Sequence, residues 1–509
     1  MSRMRGRLAT LVTFAFSVPC ALAGPRRDPA LEGMWRYVDE VDRHADGVQR
    51  DTLELRGSMD VQWREGHVHP ASGAGEVTRR SASDKALLPI ATGTMRTFAP
   101  VVSRLIVALI LPTMLIAQAT QRARAWGIPF EGETGTNNAI TDVRGVEVGH
   151  STIIRGEGKL VPGVGPVRTG VTAILPRGKG NWDFVMAATF NQNGNGDMTG
   201  VNWIEESGFL EGPLLLTGTH SVGTVRDAAV KWQEARGRQF IFTYPVVAET
   251  FDLLNDATGQ HVKPEHAWAA LDSAHGGPVT EGPVGGGTGM GCNGFKGGIG
   301  TSSRTMAIRG TRYTVGVLVQ CNYGGDLRIL GVPVGREITD LRMCSTMPQT
   351  RFFLQALSSR PCRATAPSPS RDSSQAGPVD DGPLGRGSIV VIVATDAPLL
   401  SHQLKRVARR VGMGLGALGS WAGNGSGDLF LAFSTANPNA GREGVTALSM
   451  LSNDDIDPIF RATIGATEEA VVNAMLAAPP VFTGVDGLRV YGLPGSRVVD
   501  AMRKYGRMK

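Results

Sequence analysis

Residues 385–399, Gly-Arg-Gly-Ser-Ile-Val-Val-Ile-Val-Ala-Thr-Asp-Ala-Pro-Leu, carry the strongest structural signal in the chain. After Ser388 the chain continues as an unbroken apolar run rich in β-branched residues, which is typical of a strand buried on both faces. The preceding residues, from about 358 to 385, are rich in Pro, Ser, Gly and Ala, and such a composition does not order well. The Gly387-Ser388 pair therefore lies where a loose segment meets a buried strand.

This position gives Ser388 a chemical possibility that an ordinary serine lacks. A cut between Gly387 and Ser388 would leave a serine whose hydroxyl and free α-amine are both held at the tip of a strand. The amine could then act as the base for its own side chain, which is the chemistry of N-terminal-nucleophile hydrolases. No serine sits in a GxSxG elbow, since Arg386 and Val390 lie two positions either side of Ser388.

Composition limits the classes of function that are compatible with the chain. Its 509 residues, 41% of them hydrophobic, allow one large domain or two to three average ones. The net charge of +6 is small for this length and the basic residues form no stripe, so no nucleic-acid partner is expected. The five cysteines show no CxxC pair and no metal-ligand spacing, which predicts no metal site. Their odd number favours small buried thiols over a disulfide framework, particularly for Cys292 and Cys321.

Two segments near the N-terminus look like export signals. Residues 1–24 and 95–119 each combine arginines, an apolar stretch and a small-residue end, and the second has the purer apolar stretch. We expect Met95 to be the true start and residues 1–94 to be a disordered or spurious extension; a double leader is the alternative. An apolar length of about a dozen residues interrupted by Pro112 argues against a stable membrane span. The predicted location is periplasmic or secreted, or cytoplasmic if neither segment is used.

From Trp126 onward the sequence reads as a mixture of strands and helices. Because strands and helices alternate without regular βαβ spacing, the pattern predicts an α+β sandwich of layers rather than a doubly wound sheet. Helix 399–418 places Leu404, Val407 and Val411 on one face. The other predicted helices span 224–233, 266–271, 454–477 (with a capped turn at Thr467) and 495–505, and the predicted strands include 183–190, 240–247, 311–320 and 428–434.

Polar and glycine-rich loops lie beside these strands. Asn424-Gly-Ser-Gly-Asp leads into one strand, and Gln320-Cys-Asn-Tyr-Gly ends another, where Asn322 could donate its amide N–H to an oxyanion. The Gly-rich passage 285–298 contains a formal GxGxxG, but no apolar strand leads into it and no acidic residue follows about 20 positions on. Backbone folded tightly around a pocket explains this passage better than a dinucleotide or phosphate site.

Together these motifs resemble the family of L-aminopeptidase D-Ala-esterase/amidases and β-peptidyl aminopeptidases. The resemblance covers about 127–507, and the shared motifs are the Ser388 strand, Asn-Gly-Ser-Gly-Asp, Asn-Gly-Asn-Gly-Asp-Met-Thr-Gly and Pro-Val-Val-Ala-Glu-Thr. It implies a four-layer αββα sandwich, a single large peptidase domain made of two interlocked chains after self-cleavage between Gly387 and Ser388. The α chain would end at Gly387 with a flexible linker over 358–386. The resemblance also implies a homo-oligomer, a tetramer or larger, and no cofactor.

The resemblance assigns roles to individual residues. Ser388 is the implied nucleophile and its free amine the implied base. Ser426 and Asp428 match the pair that hydrogen-bonds this amine and hydroxyl, Asn322 matches the oxyanion donor, and Glu249 matches the carboxylate that holds the ammonium group of the substrate.

Three departures from the family pattern affect the same region. Phe251 stands in the substrate-binding segment where relatives often carry a tyrosine that assists the oxyanion. The glycine that commonly follows Asp252 is missing, and Asp428 replaces the longer glutamate of some relatives. Since one oxyanion donor can contribute on the order of 3 kcal/mol, turnover or substrate range is expected to differ.

The sequence therefore predicts a self-processing serine aminopeptidase/amidase that cleaves N-terminal residues from short peptides, amino-acid amides or esters through an acyl-enzyme on Ser388. L-, D- and β-amino acids all stay open as the residue removed. One alternative is an acyltransferase similar to ornithine acetyltransferase, although that group uses threonine as the new N-terminus. The other is a non-catalytic relative that acts as a binding protein.

Overall fold

A computed structural model describes residues 121–347, Cys362 and residues 387–509. The predicted extension 1–94 and leader 95–119 lie outside the described residues, as does the predicted linker 358–386 apart from Cys362.

The strands and helices follow one another in mixed order along the described residues. The strands are β1 Glu147–Arg155, β2 Val167–Leu175, β3 Val185–Gly194, β4 Phe209–Leu210, β5 Leu214–Gly218, β6 Val246–Thr250, β7 Gly291–Cys292, β8 Phe295–Lys296, β9 Gly298–Ile308, β10 Thr311–Asn322, β11 Cys344–Ser345, β12 Gly387–Thr395, β13 Ser426–Ser434, β14 Val481–Thr483 and β15 Leu488–Tyr491. The α-helices are α1 Val201–Ser207, α2 Val222–Ala235, α3 Pro264–Ser273, α4 Val334–Glu337, α5 Ser401–Ala417, α6 Asp457–Leu476 and α7 Gly495–Lys504.

The strand that carries Ser388 lies in the middle of the largest sheet. The strand order there is β4-β3-β13-β12-β10-β9, so β12 has a neighbour on each side. It runs parallel to β13 and antiparallel to β10. Every residue from Ser388 to Thr395 is buried, which confirms the prediction of a strand enclosed on both faces.

A second sheet, with strand order β1-β2-β5-β6, shares a hydrophobic core with the first. Alternate side chains of β12, such as Val390 and Ile392, are fully buried in one cluster with Ile174 of β2 and Leu216 of β5. The cluster thus joins residues from both sheets, as expected for two sheets that pack face to face.

Helices cover the other face of each sheet. Ile389 and Val391 of β12 belong to a cluster that also contains Leu404 of α5 and Val471 of α6. On the smaller sheet, the β2 and β5 side chains that point away from the shared core cluster with residues of α2 and α3. Because α5 repeats its apolar residues every three to four positions, one face of it is buried, as the sequence predicted.

Most predicted elements occur within a few residues of their predicted bounds, but two assignments were wrong. Over most of the predicted strand 240–247 the backbone is irregular, with a bend at Ile241, until β6 begins at Val246. Thr467 does not cap a new turn, because it lies inside the continuous helix α6 and its Oγ1 donates to the Thr463 carbonyl at 2.8 Å. Apolar or helix-favouring residues on each side made both boundaries hard to place from pattern alone.

The prediction of free buried cysteines was also wrong. Cys292 is bonded to Cys321, and Cys344 is bonded to Cys362. The odd total of five did not exclude pairing, because four cysteines form two bonds and the fifth, Cys20, belongs to the leader-like segment of the sequence. Among the described residues, the structure contains no helix that has both the length and the apolar character needed to cross a membrane.

Packing of α5 on the central sheet provides a test of this architecture. Leu404 is fully buried, so truncation in Leu404→Ala should lower the free energy of unfolding by about 2–5 kcal/mol. Met413 on the same helix is 60% exposed, and Met413→Ala should change it by less than about 0.5 kcal/mol. Urea denaturation of both variants measures the difference. Equal effects of the two substitutions would contradict the packing described here.

Candidate active site

The backbone register gathers the predicted residues at the ends of three neighbouring strands. Asn322, the last residue of β10, lies directly opposite Ser388 in β12. On the other side of β12, Ser388 is level with Gly427 and Gly387 is level with Ser426. Ser388 is 5% exposed, so this hydroxyl-bearing residue lies at the buried end of a central strand rather than on an open loop.

The Asn322 side chain is oriented by a backbone group of the Gly-rich passage. The Gly291 N–H donates to Asn322 Oδ1 at 3.0 Å. Since an amide has one acceptor oxygen and one donor nitrogen, this hydrogen bond leaves Nδ2 as the donor available to a bound group. The interpretation of residues 285–298 as backbone folded around a pocket agrees with this contact.

Ser426 and Asp428 form a hydrogen-bonded pair. Ser426 Oγ donates to Asp428 Oδ1 at 2.7 Å. Within the part of the chain that the structure describes, Asp428 Oδ2 is buried and has no hydrogen-bond partner. Burial raises the pKa of the Asp428 carboxyl, and the hydrogen bond from Ser426 opposes this shift. The pair therefore presents an unsatisfied acceptor at the end of the sheet.

Two glycines are required where chain segments approach this edge closely. A Cβ atom on Gly387 would lie 2.2 Å from the Asn322 carbonyl oxygen, and one on Gly427 would lie 2.1 Å from the Asn195 carbonyl oxygen. Both distances are too short for any side chain, so glycine is required for steric reasons at positions 387 and 427.

Glu249 approaches the same region from the second sheet. It lies on β6, and its Oε1 accepts the Asp197 N–H at 3.0 Å while its Oε2 accepts the Thr219 hydroxyl. Burial raises the pKa of the Glu249 carboxyl, and these two hydrogen bonds partly offset the shift. A Cβ on Gly196 would lie 3.2 Å from Glu249 Oε1 and 3.6 Å from Gly427 Cα. A single turn of loop therefore separates Glu249 from the first residues of β13.

The loop that fills this gap carries the shared motif Asn-Gly-Asn-Gly-Asp-Met-Thr-Gly, for which the resemblance implied no role. Asn193 Nδ2 donates to the Gly423 carbonyl at 2.6 Å, and Asn195 Nδ2 donates to the Gly425 carbonyl at 2.8 Å. The loop thus holds the turn that carries Ser426. The signal in the sequence was the repeat of Asn and Gly, because Asn side chains commonly bond nearby backbone in tight loops.

Phe251 follows β6 directly and is half-buried. Its carbonyl accepts the Leu253 N–H at 2.9 Å, which closes a tight turn after Glu249 and Thr250. The structure thus gives the Phe251 backbone a role in this turn, and the side chain has no hydroxyl with which to donate a hydrogen bond.

Comparisons with known proteins agree with this arrangement. The model of peptidase family S58 matches residues 138–490. A β-peptidyl aminopeptidase from Sphingosinicella microcystinivorans is 48% identical over 409 residues, which are 78% of this chain and 97% of the relative. A second β-peptidyl aminopeptidase, from Sphingosinicella xenopeptidilytica, is 43% identical over 413 residues, 79% of this chain and 96% of the relative.

Solved structures give the same result. The L-aminopeptidase D-Ala-esterase/amidase of Ochrobactrum anthropi, described as a variant of the Ntn hydrolase fold, is 41% identical with a TM-score of 0.65. A β-aminopeptidase from Burkholderia sp. is 42% identical with a TM-score of 0.63. Each match covers 76% of this chain and 99% of the solved chain.

These findings confirm the predicted enzyme class, a serine aminopeptidase/amidase with an Ntn-type fold, and favour neither the acyltransferase nor the non-catalytic alternative. The chain belongs to peptidase family S58.

Proposed function

We propose that this protein is a precursor that cuts itself between Gly387 and Ser388 and then removes N-terminal residues from short peptides, amino-acid amides or esters. One observation carries the proposal. Ser388 begins the buried part of a central strand, level with Asn322 on one side and with the Ser426–Asp428 segment on the other. A hydroxyl, an amide donor and a carboxyl acceptor thereby lie together where three neighbouring strands of the sheet begin or end.

Self-cleavage requires only water and the atoms present at this end of the central strands. Ser388 Oγ attacks the Gly387 carbonyl carbon, the C–N bond to Ser388 breaks, and the acyl group moves to the oxygen while the nitrogen takes the hydroxyl proton. Water then hydrolyses the ester. The products are a new carboxyl at Gly387 and a free α-amine on Ser388, beside its own hydroxyl.

The same amine then serves as the base for turnover. An α-amine has an ordinary pKa of about 7.7, and a neighbouring carboxylate raises that pKa, so a minor part of the amine is unprotonated near neutral pH and acts as the base. It accepts the Ser388 hydroxyl proton as Oγ attacks the substrate carbonyl carbon, and Asn322 Nδ2 donates to the oxyanion that forms. The leaving amine takes the proton, and water attacks the acyl-enzyme to release the product and restore Ser388.

The Ser426–Asp428 pair is suited to receive the new amine. In the uncut chain, Asp428 Oδ2 is a buried acceptor that lacks a partner among the described residues. An ammonium group released one strand position away would supply that partner, and a charge-assisted hydrogen bond would result. Because Asp428 is shorter than glutamate by one methylene, a water molecule bridging the two groups fits the proposal as well.

Glu249 is the proposed site for the substrate's own ammonium group. Its carboxylate is buried and lies across the Gly196 turn from the beginning of β13. The hydrogen bonds that it accepts come from the Asp197 N–H and the Thr219 hydroxyl, and neither donor is a lysine or an arginine. A buried carboxylate without a cation favours a positively charged ligand, which would give the enzyme its preference for free N-termini. With Phe251 in place of tyrosine, Asn322 is the one side-chain oxyanion donor proposed.

The topology supports a four-layer αββα sandwich of two interlocked chains. After the cut, β12 and β13 would belong to the β chain, while β3 and β10 on either side of them would belong to the α chain. A central strand pair clamped by strands of the other chain cannot leave without breaking the sheet. The core shared by the two sheets and the two helix-covered outer faces correspond to the four layers.

Two features support export and assembly. The disulfides Cys292–Cys321 and Cys344–Cys362 support an oxidising compartment such as the periplasm, since such bonds persist there and are rare in the cytosol. Exposed apolar side chains in two loops support a homo-oligomer, and they include Ile241, Phe242, Tyr244, Val445, Leu448 and Met450.

Replacement of the nucleophile tests the self-cleavage. Ser388→Ala should accumulate as one uncut chain and should hydrolyse an aminoacyl p-nitroanilide no faster than buffer, because both the attacking oxygen and the new base are lost. Ser401→Ala, in which a hydroxyl that contacts the Gly208 carbonyl is removed, should cut itself and turn over normally. Intact-mass analysis and Edman sequencing detect the cut. Two chains in the Ser388→Ala protein would refute the assignment.

Glu249→Gln tests recognition of the substrate ammonium group. Loss of a buried charge pair of this kind costs about 3 kcal/mol, so kcat/KM for β-alanyl p-nitroanilide should fall roughly 100-fold. The matched control is Glu205→Gln, which removes a partly exposed ion pair with Lys405 but keeps an oxygen that can accept the Thr189 hydroxyl, and it should change kcat/KM less than about two-fold. Unaltered kcat/KM in Glu249→Gln would remove Glu249 from the site.

The pH dependence of stability tests the role of Asp428. In the uncut Ser388→Ala protein, the raised pKa of Asp428 means that burying its ionised form destabilises the fold at neutral pH. This penalty shrinks as pH falls below the folded-state pKa and is gone below the unfolded-state pKa. Asp428→Asn should therefore raise the Tm of this protein near neutral pH and by less at acidic pH.

In the self-cleaved protein the same substitution should have the opposite sign. There the carboxylate has an ammonium partner, so Asp428→Asn should lower the Tm near neutral pH. Calorimetry of both forms at matched pH measures the two effects. A stabilisation of equal size in both forms would show that the amine and Asp428 do not interact.

A further inference from the structure

The Asn322 amide depends on a short hairpin that is not part of the large sheets. Among the described strands, β7 and β8 pair with each other and with no third strand, with Gly291 opposite Lys296 and Cys292 opposite Phe295. Gly291, at the start of this hairpin, supplies the N–H that fixes Asn322 Oδ1. The orientation of the Asn322 amide, the proposed oxyanion donor, therefore depends on the position of this hairpin.

A disulfide joins the hairpin to the strand that carries Asn322. Cys321 is the residue before Asn322, Cys292 is the residue after Gly291, and these two cysteines are bonded to each other. The covalent link thus lies one residue away from each end of the hydrogen bond between Gly291 and Asn322. Both cysteines are essentially unexposed, at 0% and 1%, so the link lies inside the protein beneath the site.

The main chain also leads from Lys296 through Gly297 into β9, whose Gly298 lies opposite Cys321 of β10. The remaining contacts of the hairpin are hydrogen bonds. The Asn293 N–H donates to the Tyr323 carbonyl at 2.7 Å. Lys296 Nζ donates to the carbonyls of Met290 and Gly297, each at 2.7 Å, and burial lowers the pKa of this amine. These contacts shape the hairpin, whereas the disulfide is the covalent bond between the hairpin and β10.

We infer that the Cys292–Cys321 disulfide is a positioning element for catalysis, which holds the Gly291 N–H where it orients the Asn322 amide toward the oxyanion. The inference rests on the proposed role of Asn322. Oxyanion stabilisation is sensitive to the placement of the donor, and a displacement of about 1 Å can lower a rate by roughly 100-fold. Opening the disulfide should therefore lower kcat more than it weakens substrate binding.

The second disulfide provides a matched control. Cys344–Cys362 closes a loop with a sequence separation of 18, against 29 for Cys292–Cys321, and stabilisation by loop closure changes little over this range. Cys344 lies on β11, which pairs with β15 in a separate sheet. A purely structural effect should thus be similar for the two disulfides, whereas an effect on the oxyanion donor should be confined to the first.

The test compares Cys292→Ala/Cys321→Ala with Cys344→Ala/Cys362→Ala in self-cleaved protein, using β-alanyl p-nitroanilide. Both pairs should lower the Tm. The first should lower kcat by about 10- to 100-fold with KM changed less than about two-fold, and the control should keep its kcat. A kcat within two-fold of the parent enzyme in Cys292→Ala/Cys321→Ala would overturn the inference.

Asn322→Ala in each background separates this inference from the proposed function. If the disulfide acts through Asn322, the loss caused by Cys292→Ala/Cys321→Ala should disappear when Asn322 is already alanine. Losses that multiply would contradict a shared pathway. If Asn322→Ala alone leaves kcat unchanged, the proposed oxyanion role fails; if it lowers kcat and the cysteine pair does not, only the present inference fails.

A second measurement does not depend on the folding of the first variant. In self-cleaved Cys344→Ala/Cys362→Ala protein, Cys292–Cys321 is the bridge that remains. Graded reduction with a phosphine, with freed thiols counted by alkylation and intact mass, should lower kcat in proportion to the thiols released. Reoxidation should restore it. A constant kcat after full release of both thiols would also overturn the inference.

Discussion

The backbone hydrogen bonds of β12 fix Ser388 between Asn322 and Gly427, and the other features of the site are arranged around this position. A residue at the end of a central strand has neighbours on both sides, so its position is defined by hydrogen bonds that do not involve its side chain. A site built on such a strand is more rigid than one built on loops. On the proposed mechanism, this rigidity persists after the peptide bond is cut, because β12 remains paired on both sides.

Close approach of the backbone is the second requirement, and it explains the glycines around the nucleophile. No side chain fits at Gly387 beside the Asn322 carbonyl, or at Gly427 beside the Asn195 carbonyl. The loop that contains Asn195 can therefore contact β13 and Glu249 at once. Two sheets that share a hydrophobic core, and that Gln320 also links by hydrogen bonds to Thr217 and Thr250, are in this way connected at one end by the loop between Glu249 and β13.

The sequence allowed prediction of those features that depend on local pattern. The buried strand after Ser388 and the amphipathic helix over 401–417 follow from apolar periodicity, and both lie close to their predicted positions. Disulfide pairing could not be predicted in the same way. Cys292 meets Cys321 only because a hairpin folds back beneath β10, and neither spacing nor count contains that information.

The placement of Glu249 near Ser388 was likewise expected only from the resemblance to a family. Its physical basis is the Gly196 turn, a contact between residues more than 50 positions apart in the chain, which periodicity does not reveal. The failed prediction of a strand over 240–247 has a related cause. Aromatic residues such as Phe242 favour strands locally, but the sheet offers pairing partners only from Val246 onward.

The uncut fold carries a buried acceptor that its own product can satisfy. Asp428 Oδ2 has no partner among the described residues, and an unpaired buried polar atom typically destabilises a protein by about 1–3 kcal/mol. Scission of the Gly387–Ser388 bond, on the proposed mechanism, creates an ammonium group next to that atom. The cleaved state then gains an ion pair that the precursor cannot form. Religation would have to break this ion pair, so the same carboxyl that would hold the amine in place would also favour the cleaved state over the precursor.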